Sequence, residues 1–196
     1  MEVELMMQAR LHLQFGIRYS HQMRINLTKG MTEDSISIAR EDGTRAEFKF
    51  PHKGPMSHDA IHFFVERQVK MECGFWGMVA AGIEPKEVAA LAAKGGHASS
   101  NRASEPSAQI TQLLQAERLV ECFEAEFWSG LSDDDAVIEM AEAGWRASQV
   151  APIENVRAKL AAIRNAIRTF AVRWAETEVG DSVTLNWDLF EEDGNV

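Results

Sequence analysis

Apolar and polar residues alternate over much of the first fifty positions. Leu11, Leu13, Phe15, Ile17 and Tyr19 face one way while His12, Gln14 and Arg18 face the other. The same period of two recurs in Met23, Ile25 and Leu27, in Ile36 and Ile38, and in Ala46, Phe48 and Phe50 set against Arg45, Glu47 and Lys49. Such a pattern predicts antiparallel strands that lie on a core with their other side in water. Asp42-Gly43 supplies the turn of a tight hairpin and Lys29-Gly30 breaks the strand before it. Residues 1–54 therefore read as a meander of three or four strands.

The spacing becomes helical after Pro55. Ser57 is a good N-cap for a helix over 57–72, and Cys73-Gly74 supplies its stop. A short aromatic helix over 75–81 ends at Gly82, and Pro85 starts another that Gly95-Gly96 ends. The small, polar, aperiodic stretch 95–107 predicts a mobile loop. Three longer helices are expected near 107–129, 132–148 and 152–178. In the last, Ile153, Val156, Leu160, Ile163, Ile167, Phe170 and Trp174 repeat at threes and fours, answered by Leu113, Ala116, Val120, Phe123 and Phe127 in the first. Val183, Leu185, Trp187 and Leu189 alternate again, which predicts a closing strand over 183–189 on an edge of the N-terminal sheet. The expectation is a single α+β domain over 1–196: a β-meander in 1–54 and a mainly helical part in 55–196 that carries the terminal strand.

With 196 residues the chain can bury a core without help from disulfides or metal. Its two cysteines, Cys73 and Cys122, are too few and too scattered for a cysteine framework, which points to a reducing cytoplasm. The N-terminus does not read as a signal peptide, and no stretch has the run of uncharged apolar residues a membrane span needs. A formal net charge of -10 argues against a nucleic-acid or anionic membrane partner. The last long helix is locally basic through Arg157, Lys159, Arg164, Arg168 and Arg173. Glu117, Glu121, Glu124, Glu126, Glu139 and Glu142 on its neighbours offer mutual neutralisation, a simpler account than RNA binding. The apolar seam of 107–129 and 152–178 can pack within one chain or between two, so a homodimer through these helices is a second class of function, non-catalytic and with structural histidines.

The chemistry concentrates in SHDAIHFFVE, residues 57–66. On a helix His58 and His62 lie one turn apart, a spacing at which two imidazoles can share a zinc or another divalent ion. Asp59 then stands where the H-E-x-x-H pattern places its general base, which makes hydrolysis one use of such a site. Glu66 lies about 12 Å along the axis from His58, too far to join it on one ion, but one turn from His62, whose ring it can orient. His52 is the chain-local candidate for a third ligand, with His21 and His97 further off. A plainer reading stands beside this one: the two histidines flank a buried stripe of Ile61, Phe64, Val65 and Val69, and Asp59 favours the start of the helix electrostatically.

HDAIHFFVE followed by GFWGMVAAG resembles a family of small uncharacterised bacterial proteins with the pattern H-D-x-x-H-F-x-V-E, a short gap, then G-F-W-G and small apolar residues. The match covers residues 57–82 and carries no established activity. It implies that His58, Asp59, His62, Glu66 and Trp76 belong to a site, with Trp76 as a pocket wall; packing between sheet and helices is the alternative for both Phe75 and Trp76. Ser132-Asp133-Asp134-Asp135 lacks the spacing of a calcium loop and reads as a helix start. The chain has no phosphate loop, nucleophile elbow or Cys-x-x-Cys.

Overall fold

The computed structural model describes residues 21–51, 56–94 and 110–189. Strands β1 (Met23–Thr28), β2 (Glu33–Arg40), β3 (Arg45–Pro51) and β4 (Ser182–Trp187) form one sheet in the order β3-β2-β1-β4, and every neighbouring pair is antiparallel. Ile25 stands opposite Ile38 on one side and Leu185 on the other. This register puts Met23, Ile25, Leu27, Ile36, Ile38, Val183 and Trp187 on the buried face, as period two requires. The fold is thus α+β, with an N-terminal meander closed by a C-terminal edge strand. The alternating stretch Leu11 to Tyr19 and the loop expected over 95–107 lie outside the described residues.

Among the described residues six α-helices follow the meander: α1 (His58–Gln68), α2 (Phe75–Ala80), α3 (Pro85–Lys94), α4 (Thr111–Ser129), α5 (Asp134–Ala147) and α6 (Leu160–Glu176). Seven consecutive residues of α1, Ala60 to Glu66, are buried. A helix covered on every side has no solvated face on which to place polar residues, so its histidine and glutamate must find partners inside. The Phe63 ring meets Trp187 of β4 edge-on, and Phe64 packs against Phe170 of α6. The α4 and α6 seams are buried within the chain, through Leu113, Ala116, Val120 and Phe123 on one and Ile163, Ile167, Phe170 and Trp174 on the other.

Three helix ends differ from the sequence reading. α1 stops at Gln68 rather than 72 because Lys70 takes a left-handed φ of 57° and the Met71 N–H turns back to the Glu66 carbonyl, a six-to-one closure made without glycine. Ser57 stands at the N-cap position, but its hydroxyl makes no capping bond. The helix expected over 152–178 starts only at Leu160. Asn155 has φ 55° and a tight 3₁₀ turn over Val156–Lys159 intervenes. At α5 the cap is Asp133, whose carboxylate accepts from the N–H groups of Asp135 and Ala136. Among the described residues no helix is long and apolar enough to cross a membrane.

Candidate metal centre

Residues from two helices meet where α1 crosses α4. His58 and His62 project from successive turns of α1, and Glu117 and Glu124 approach from α4. The His62 Nε2 lies 3.1 Å from the His58 Nε2 and 3.0 Å from the Glu117 Oε2, and the third edge, His58 Nε2 to Glu117 Oε2, is 3.6 Å. Among the described residues this trio is the group of side chains that could hold a metal ion. The His58 and Glu124 side chains are 38% and 33% exposed, whereas His62 and Glu117 are 7% and 11%. The centre therefore opens to solvent past His58.

Each ring has its other nitrogen fixed by a separate carboxylate. The His62 Nδ1–H donates to Glu66 Oε1 at 2.9 Å and the His58 Nδ1–H to Glu124 Oε1 at 2.9 Å. Whenever a ring is neutral, donation from Nδ1 leaves its Nε2 lone pair pointing into the trio. Glu66 is fully buried and accepts two more bonds, from the Phe75 N–H on Oε1 at 3.0 Å and from the Trp76 N–H on Oε2 at 2.8 Å.

Burial acts to lower the pKa of both histidines, but the surrounding carboxylates outweigh it. Hydrogen bonds to Glu117 and Glu124 raise His58 to about 10, and those to Glu117 and Glu66 raise His62 to about 9. Burial alone would raise Glu117; the bonds from His58 and His62 instead hold it well below the usual carboxylate range. Asp59 is half-buried, and loss of water pushes its carboxyl upward against the charges of His62 and His58.

Of the residues singled out from sequence, His58, His62 and Glu66 converge. Asp59 is adjacent in the chain but is not one of the trio. Trp76 is 1% exposed, stacks edge-on against Phe63 and Phe75, and donates its indole N–H to the Asp59 carbonyl, so it packs beneath the first turn of α1 rather than lining an opening. His52 and His97 lie outside the described residues, and His21 is exposed beside the β2–β3 turn near Asp42.

Sequence reasoning missed Glu117 and Glu124 as partners of the histidines, because it paired them with the basic last helix. Glu126 takes that role instead: the Arg164 fork binds it at 2.6 and 2.9 Å and also reaches Asp134 at 2.8 Å. A signal was present. Glu117 falls four residues after Leu113 and three before Val120, so an acid sits within the buried seam, where an unpaired carboxylate would be costly. No family model, curated protein or solved structure matches this chain.

Proposed function

We propose that the chain binds one divalent metal ion, zinc or a comparable transition metal, through His58 Nε2, His62 Nε2 and Glu117 Oε2. The observation that carries this reading is the triangle with edges of 3.0, 3.1 and 3.6 Å. Ligands bound tetrahedrally at about 2.0 Å stand about 3.3 Å apart, so the three atoms match that spacing without rearrangement. The carboxylates on both Nδ1 atoms support it, since metal-binding histidines almost always donate their second N–H to such a group.

Two imidazoles and one carboxylate leave at least one coordination position for water or substrate, the composition of a catalytic rather than a closed structural site. A divalent ion held there supplies Lewis acidity. Of the chain's own groups, Asp59, next to His58 on the first turn of α1, is the one we assign to take a proton from the reacting water; loss of water raises its carboxyl above the ordinary value. The reading is thus a metal-dependent hydrolytic centre.

The test is metal content by plasma mass spectrometry on untagged protein purified without chelator, beside the His58→Ala/His62→Ala double variant and Glu117→Gln. Near-stoichiometric zinc, iron or manganese in the parent, with less than a tenth of it in the folded variants, is the expected result. A parent that takes up no metal after incubation with each ion would remove the proposal.

A further inference from the structure

The motif Gly-Phe-Trp-Gly, 74–77, has a physical explanation at its first glycine. Gly74 has φ -76° and ψ -174°, a conformation open to any residue, so backbone freedom is not why glycine is there. A Cβ at this position would stand 2.4 Å from Glu66 Oε2 and 2.5 Å from Glu66 Cδ. The carboxyl of Glu66 occupies the volume a side chain at 74 would fill. Glycine is what lets that carboxyl reach the N–H groups of Phe75 and Trp76.

The arrangement bears on the histidines through one atom. Glu66 Oε1 accepts from the Phe75 N–H at 3.0 Å and from the His62 Nδ1–H at 2.9 Å. Oε2 is tied to the Trp76 N–H at 2.8 Å. Because both oxygens are held by backbone, the carboxyl can neither rotate nor slide without losing a bond in a fully buried setting. The His62 ring, buried and bonded to that same Oε1, takes its orientation from it.

We propose that the Gly74–Phe75–Trp76 backbone is a positioning device for the metal centre: it fixes Glu66, and through Glu66 the direction of the His62 Nε2 lone pair. This rests on the reading in which His58, His62 and Glu117 hold the ion. Glu66 and Gly74 are positioning residues, since neither touches the trio's centre.

The device can be cut at single atoms. Phe75→Pro removes the N–H that Glu66 Oε1 accepts, and proline suits the first position of a helix after an extended residue. Phe75→Ala removes the same ring and keeps the N–H, so the pair isolates the hydrogen bond. Gly74→Ala displaces the carboxyl while leaving its charge, and Glu66→Gln keeps its size while replacing one acceptor by a donor. The readouts are the zinc dissociation constant by chelator competition, the cobalt(II) absorption spectrum, and the melting curve of the metal-free protein.

Phe75→Ala is expected to bind zinc within about twofold of the parent, while Phe75→Pro, Gly74→Ala and Glu66→Gln weaken it by about ten- to a hundredfold and shift the cobalt bands. If any one of these three fails to fold, the others carry the test. Folded variants that bind zinc as tightly as Phe75→Ala, even with lowered melting temperatures, would overturn the proposal and leave Glu66 a purely structural acid. A parent that binds no zinc would instead remove the metal reading itself, and the parent titration alone distinguishes the two failures.

Discussion

Zinc loading at neutral pH should expel more than one proton from this protein. Two ordinary imidazoles, with pKa near 6.5, each carry about a quarter of a proton at pH 7, so a site made from them would release about 0.5. Here the carboxylates overcome burial and raise His58 to about 10 and His62 to about 9, so either ring taken alone is almost fully protonated at pH 7. Geometry sets the upper bound. With the two Nε2 atoms 3.1 Å apart, protons on both must turn to Glu117 Oε2, which is 3.0 Å from one nitrogen and 3.6 Å from the other. The second distance is beyond a useful hydrogen bond, so the second proton is held less well than the first. The expected release is therefore between one and two protons per zinc. Calorimetric titration with zinc at pH 7, in buffers of different ionisation enthalpy, counts them directly. Stoichiometric binding with a release of about half a proton or less would refute the electrostatic argument while leaving the site in place.

Two further outcomes follow from the same contacts. For the metal-free protein the sign is fixed by folded-state histidine pKa values above the unfolded value: their stabilisation is complete below about pH 6.5 and is lost as pH rises through about 9 to 10. Its melting temperature should fall over that window, whereas the upward shift produced by saturating zinc should grow over it; a metal-free melting curve flat from pH 6.5 to 10 would contradict this. Far from the centre, Arg164→Leu should destabilise the protein by about 2 kcal/mol, between an exposed pair and a buried one that loses a partner, since both side chains are partly buried. Arg164 and Glu126 are 12% and 8% exposed, and Arg168, 4.0 Å from Glu126, takes up part of the stranded charge. Urea unfolding measures the loss, and an unchanged midpoint would show the pair to be dispensable.

The fold was legible because period and turn chemistry are local. Asp42-Gly43 places Gly43 at φ 85°, where glycine is needed, and the alternation of Val183, Leu185 and Trp187 announced a strand on an edge of the sheet, which the structure seats beside β1. Helix ends were less legible, because they depend on single non-glycine residues adopting a left-handed conformation that hydrophobic spacing does not announce. Lys70 and Asn155 at positive φ ended or delayed helices that hydrophobic spacing alone would have continued. The site was legible only on α1. Spacing of four tied His58 to His62 and His62 to Glu66, but nothing local links His62 to Glu117, 55 positions away. That contact exists only once α1 crosses α4, so the readable trace was the misplaced charge in the seam of α4.

The proposed metal site and a pair of histidines that merely satisfy each other ask different things of this trio. A proton lies between two heavy atoms, so it can join His62 to Glu117 or His62 to His58, but not all three. If the carboxylates hold hydrogen on both Nδ1 atoms, both Nε2 lone pairs and a Glu117 oxygen point at one small volume, and a single proton leaves one of them unsatisfied. Two protons crowd two N–H groups onto one oxygen, with one of them at 3.6 Å. A cation that accepts three donors at once meets the whole trio, and it does so with the rings in the tautomer that Glu66 and Glu124 already enforce. Three carboxylates are turned toward the two rings, and Glu66 among them is held by the backbone of α2, an arrangement that suits the cation proposed for the middle.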